Sequence, residues 1–222
     1  MRLRITFSKG GPLTYTSHLD LARAWERCLR RAGMALAYSG GFNPRPKLQL
    51  AAALPLGHTG EAELLDVWLE QALPVEELAR AVVPVLLAGL SISQVSQVEP
   101  QEPPLQTRVV AAEYRVTVEL PPEFAAGWEE PAPQVESRIG QVLAATELPQ
   151  ERRGRRYDLR PLLERLWLER AGQGEVLLGM QLAAREGATA RPEAVLEALG
   201  MTRAFARYHR KKLILTHQGD QL

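Results

Sequence analysis

Two stretches of this chain alternate polar and apolar residues with a period of two, Arg2 to Phe7 and, a hundred residues later, Glu113 to Leu120. That pattern is the mark of a half-buried strand. Helical spacing follows each run, so the chain is constrained to sheets whose one buried face is covered by helices.

After Gly10-Gly11-Pro12, Ser17 is placed to cap a helix and Asp20, at its third position, completes a capping-box pattern. Leu21, Trp25 and Leu29 recur at i, i+4 and i+8, and Gly33 ends the helix. Residues 34–38 predict a strand, 40–47 a loop stiffened by Pro44 and Pro46, 48–54 a strand and 63–70 another. A helix over 75–87, kinked at Pro84, and a strand over 90–98 complete the half.

Residues 99–106, Glu-Pro-Gln-Glu-Pro-Pro-Leu-Gln, have the composition of a linker. Beyond it the order repeats: a strand over 113–120, a helix over 134–145, a hairpin of 166–169 with 176–182, a short helix from Pro192 to Leu199 and a strand over 210–216. Residues 162–170 also fit a helix started by Pro161. The expectation is an α+β protein of two tandem ferredoxin-like (βαββαβ) domains with antiparallel sheets, residues 1–100 and 107–222.

At 45% hydrophobic and 24% charged over 222 residues, the chain can build a core. No apolar run approaches the ~20 residues of a membrane span, and the opening Met-Arg-Leu-Arg-Ile-Thr-Phe is not a secretory signal, so a cytoplasmic protein with no membrane partner is expected. A single cysteine, Cys28, excludes an internal disulfide and any cysteine-built zinc or iron-sulfur site within the chain. His18, His58, His209 and His217 are too scattered for a metal motif, so neither metal nor cofactor is expected.

Net charge is only +1, but it is unevenly spread. Residues 1–50 hold nine basic groups against Asp20 and Glu26, whereas 61–80 set Glu61, Glu63, Asp66, Glu70, Glu76 and Glu77 against Arg80. Arg23, Arg27 and Arg30 form one helix face, with Arg31 beside it, opposite the apolar stripe. Lys9, Arg45 and Lys47 are the cations that would join it against phosphate. In the loop, Gly40-Gly41 permits close backbone approach, Phe42 can stack on a base and Asn43 can read a base edge; the same residues also suit a purely structural turn. Arg152, Arg153, Arg155 and Arg156 around Gly154 make a second basic patch, and Arg203, Arg207, Arg210, Lys211 and Lys212 a third. His18, with Tyr15 and Lys47, is the set a metal-independent endoribonuclease or RNA-modifying enzyme would use; helix capping and local hydrogen bonding are the competing role for His18.

The words Tyr15-Thr16-Ser17-His18-Leu19-Asp20, Arg30-Arg31-Ala32-Gly33, Tyr38-Ser39-Gly40-Gly41-Phe42-Asn43-Pro44-Arg45-Pro46-Lys47 and Leu54-Pro55-Leu56-Gly57 resemble the radical-SAM-associated family, a domain of unknown function found fused to or beside B12-binding-type radical SAM proteins. Tyr157-Asp158-Leu159-Arg160-Pro161 and Ala190-Arg191-Pro192 resemble its later motifs. The resemblance implies a radical SAM protein as partner and a gene neighbourhood rich in ribosome and RNA-processing functions. Lacking a three-cysteine motif, this chain would leave radical chemistry to that partner.

The leading expectation is therefore an accessory, RNA-binding substrate-recognition protein without independent catalysis. Its nucleic-acid contacts would be Lys9, Arg23, Arg27, Arg30, Phe42, Asn43, Arg45, Lys47, Arg153, Arg155 and Arg156. The alternatives are the His18 enzyme and a protein-only adaptor docking through the acidic segment 61–77.

Overall fold

In the computed structural model the first alternating run becomes β1 (Arg2–Lys9), which buries Leu3, Ile5, Phe7 and Lys9 on one side. Residues 1–120, 131–172, 174–202 and 204–216 are described; Gln173, Arg203 and His217 lie outside them. The chain divides into two units: Met1–Val109 with the end of the chain from Leu215, and Val110–Ile214.

In the first unit, α1 (His18–Arg31) starts where the cap signature placed it. The Ser17 hydroxyl accepts from the Asp20 amide at 3.2 Å and donates to the Asp20 carboxylate at 2.7 Å. Leu21, Trp25 and Leu29 are buried, with Trp25 edge-on to Phe7 at 4.9 Å between ring centroids. Cys28 is buried in the same face. β2 (Leu48–Leu50), β3 (His58–Trp68), α2 (Val75–Val82), a 3-10 turn holding Pro84, and β4 (Leu90–Gln97) follow. The sheet order is β4-β1-β3-β2, each neighbouring pair antiparallel.

Several expected boundaries move. Residues 34–38 are not a strand but make only isolated bridges, Leu36 to Leu69 and Tyr38 to Pro46, because Pro44 and Pro46 offer no donors to a ladder. β2 stops at Leu50, and β3 begins five residues before Glu63, where a bulge between Phe7 and Lys9 of β1 lets Lys9 face Gly60. The stretch 99–106 is no linker but part of the first unit. Leu105, at the start of the short α3 (Leu105–Arg108), is fully buried and its amide donates to the Gln49 side chain at 3.1 Å.

In the second unit, β5 (Val109–Glu119), α4 (Pro131–Ala144), β8 (Leu163–Gly172), β9 (Glu175–Arg185), α5 (Pro192–Ala198) and β11 (Phe205–Leu215) keep the strand, helix, two strands, helix, strand order. β9 pairs antiparallel with both β5 and β8, and β11 is the other neighbour of β5. The helical alternative for 162–170 is overturned, since β8 forms the hairpin with β9. Two elements are additions: a hairpin of β6 (Pro149–Arg152) and β7 (Arg155–Asp158), and the two-residue β10 (Ala188–Thr189) paired with the end of β9. Each unit is thus a mixed α+β body built on an antiparallel sheet.

Gly179 of β9 lies opposite Trp167 of β8, and a β-carbon there would sit 2.0 Å from the indole. Gly179→Ala must displace the ring. Equilibrium urea unfolding is expected to lose roughly 1–3 kcal/mol, the usual range for overpacking, with a shifted tryptophan emission reporting the displacement.

Candidate nucleic-acid interface

The basic groups of the first fifty residues separate into a buried set and an exposed set. Lys9 belongs to the first. It is 1% exposed and its ammonium donates to the carbonyls of Thr14 at 3.3 Å and Thr16 at 3.1 Å, tying down the turn before α1. Its expected role as a phosphate contact is withdrawn, because reaching solvent would leave those carbonyls and desolvated neighbours unpaired. The sequence carried the signal: Lys9 shares the parity of Leu3, Ile5 and Phe7.

Arg2 and Arg4 are also consumed internally. Both guanidinium groups bind the fully buried Asp66, Arg2 through Nε at 2.8 Å and Nη2 at 2.5 Å, Arg4 through Nε at 2.8 Å and Nη2 at 3.0 Å. Arg4 bonds Glu102 at 2.8 Å as well, and Arg108 bonds Glu102 in turn while donating to the Thr216 carbonyl at 3.0 Å. Burial alone would push the Glu102 carboxyl up, but Arg4 and Arg108 outweigh it and hold the group below the usual carboxylate range. Glu63 is buried like Asp66, so the acidic stretch 61–77 does not present the continuous surface that an adaptor would need.

Arg23, Arg27, Arg30, Arg31, Arg45 and Lys47 form the exposed set. Arg23 pairs with Asp20 at 3.1 Å and Arg30 with Glu26 at 2.9 Å, exposed pairs of little energetic weight. The Ser17 hydroxyl, then Arg23 and Arg27, hold the Asp20 carboxyl below its ordinary value. Arg27, Arg31, Arg45 and Lys47 make no ion pair among the described residues.

The loop is closed at its base. Ser39 and Arg45 exchange bonds, amide to carbonyl at 2.8 Å and amide to hydroxyl at 3.0 Å, and the Lys47 amide donates to Ala37 at 2.8 Å. This clasp thrusts residues 40–44 outward, with Phe42 fully exposed. The Arg30 guanidinium lies over the Tyr38 ring, 5.8 Å from its centroid, which joins the arginine face of α1 to the loop. Below Lys47 a shallow hollow of about 340 Å3 is bounded by Gln49, Gln106 and Trp68, whose ring carries Arg2 at 5.0 Å.

Tyr15 and His18 do not join this group. They sit at the start of α1, where Thr14 accepts from the Gly57 amide, whereas Lys47 is bonded to Ala37 and Trp68, at the opposite end of β3 from Gly57. An eleven-residue strand spans roughly 35 Å, so the three cannot share one catalytic centre.

In the second unit the patch 152–156 is the tip of the β6-β7 hairpin, turning at Arg153 (φ 51°) and Gly154 (φ 75°). Arg156 faces Glu151 across the ladder at 4.0 Å. Arg152, absent from the expected contacts, stands opposite Arg155. Arg207 and Lys212 of β11 bind Glu119 and Glu175, and Glu113, respectively.

In sequence, residues 2–192 match the DUF2344 family, uncharacterized proteins conserved in bacteria. The chain belongs to that family. No curated protein matches it. Among solved structures, a chain of a Cbf5-Nop10-Gar1 complex is similar over 97% of this DUF2344 protein and 48% of its own length, at 12% identity and a TM-score of 0.50. A chain of an archaeal box H/ACA sRNP Nop10-Cbf5 complex is similar over 98% and 48%, at 15% identity and a TM-score of 0.45. The DUF2344 chain thus spans about half the length of these chains, and the likeness to the first is one of fold. No helix among the described residues is long and apolar enough to cross a membrane.

Proposed function

We propose that the protein binds RNA in an accessory, substrate-recognising role, through the face shared by α1 and the loop after it. The observation that carries this reading is the junction at Arg30 and Tyr38. It sets a row of exposed arginines beside a clasped loop that holds a bare aromatic ring outward. Arginines facing water along a helix supply the sequence-independent attraction to phosphates. Phe42, at the tip, offers the flat surface on which an unstacked base rests, and Asn43 and the Gly40-Gly41 backbone lie beside it.

The fourth-first-third-second strand order supports reading both units as ferredoxin-like domains, divided near residue 110. The motif words quoted above support a radical SAM protein as the cytoplasmic partner that performs the chemistry, this chain presenting the RNA.

Fluorescence anisotropy with a labelled, structured RNA tests the reading. If about four phosphates are engaged, raising monovalent salt from 50 to 200 mM weakens binding roughly a hundredfold. Affinity that is flat over that range, or no binding at 50 mM, rejects it.

A further inference from the structure

The β6-β7 hairpin of the second unit has two chemically different faces. Cross-strand pairing sets Glu151 against Arg156 on one and Arg152 against Arg155 on the other. On the first face the opposite charges of Glu151 and Arg156 meet at 4.0 Å. On the second, two like charges stand directly opposite, an arrangement that costs stability unless something negative lies between them. Neither Arg152 nor Arg155 has an ion pair among the described residues.

That second face, with Arg152 and Arg155 themselves exposed, borders a hollow. Arg152, Arg155 and, one pleat further on, Tyr157 line a partly open cavity of about 560 Å3 together with Arg153, Leu162, Gly187 and Thr189. The volume is in the range of small-ligand sites. Its contents are graded: three guanidinium groups at the hairpin tip, then a phenol with an aliphatic wall at Leu162. Tyr157 is half-buried, and burial pushes its hydroxyl above the ordinary phenol range, keeping it a neutral donor. The Arg152 and Arg191 charges oppose that shift, while Glu197 and Glu193 of α5 add to it.

We propose that this cavity binds a nucleoside phosphomonoester, its phosphate between Arg152 and Arg155 and its base against Tyr157 and Leu162. A dianionic phosphate relieves the cross-strand repulsion and accepts charge-assisted bonds from both guanidinium groups. Free mononucleotides and the phosphorylated end of an RNA chain carry the same group. Only the second source rests on the RNA-binding reading above.

The test is titration of the full chain with adenosine 5′-monophosphate, adenosine and inorganic phosphate, followed by amide NMR shifts, beside RNA oligomers of one sequence bearing a 5′-phosphate or a 5′-hydroxyl. The monophosphate should shift the amides of residues 152–157 and bind at least about tenfold more tightly than adenosine or phosphate alone. Arg152→Gln with Arg155→Gln should abolish that preference while leaving the melting temperature of the free protein unchanged or raised, since the repulsion is gone. Equal weak binding of all three probes, shifts confined to other residues, or an unaltered preference in the double variant overturns the proposal. An oligomer that fails to bind while the monophosphate still occupies the hairpin cavity removes the RNA reading and leaves the nucleotide site standing. A 5′-phosphate preference lost in the double variant assigns the site to RNA ends.

Discussion

Asp66→Ala should destabilise the protein by about 3–5 kcal/mol, the usual loss when one partner of a buried ion pair is removed. The carboxylate has no exposed surface and accepts four hydrogen bonds from Arg2 and Arg4. Without it two guanidinium groups, each about nine-tenths buried, lose their shared counter-charge, and Glu102 is left to neutralise Arg4 and Arg108 together. Urea unfolding provides the measurement, with Glu26→Gln as control, since that residue's exposed pair with Arg30 contributes at most about 1 kcal/mol. A loss at Asp66 no greater than the control's would show that the network contributes nothing to stability. The same network has a pH signature. Because the folded state holds the Glu102 carboxyl below its unfolded value, its stabilisation is complete above the unfolded value and disappears as pH falls through the folded one. Glu102→Gln should therefore be less stable than the natural protein at neutral pH, with a difference that narrows on acidification.

That network also explains where the sequence was informative and where it was not. The Ser17 cap, the Leu21-Trp25-Leu29 stripe and the arginine face opposite it are short-range patterns, each readable within one or two turns of helix. Arg2 and Arg4 enter the basic charge count of residues 1–50 unopposed because their partner lies 62 to 64 residues away, placed opposite them by the register Arg4 to Asp66. Local charge counting cannot see a cross-strand neighbour. Lys9 is different: strand parity already placed it inside, and a lysine's usual exposure overrode that signal. The hairpin at 149–158 carries no familiar turn signature because its turn is Arg153-Gly154. A non-glycine residue at φ 51° stands there, where Asn or Asp is the common signature. The prolines of 99–106 suggest a linker, whereas the burial of Leu105 and the pairing of Glu102 decide its place.

Replacing Arg27, Arg31, Arg45 and Lys47 together by glutamine should reduce RNA affinity roughly a hundredfold or more at 100 mM salt and flatten the salt dependence by about three units of log-log slope. These four are exposed and make no ion pair among the described residues, so their removal leaves no buried carboxylate unpaired and the fold's stability should be within ~0.5 kcal/mol. Phe42→Ala separates the two halves of the interface. Stacking is insensitive to salt, so loss of the ring should weaken binding by about 1–3 kcal/mol with the slope unchanged. The contrast is diagnostic because the clasp between Ser39 and Arg45 uses backbone groups and the Ser39 hydroxyl, none of which either variant removes. If the glutamine variant keeps both affinity and slope, phosphate contact lies elsewhere. If Phe42→Ala alters the slope instead of the intercept, the ring acts by positioning Arg45 and not by stacking.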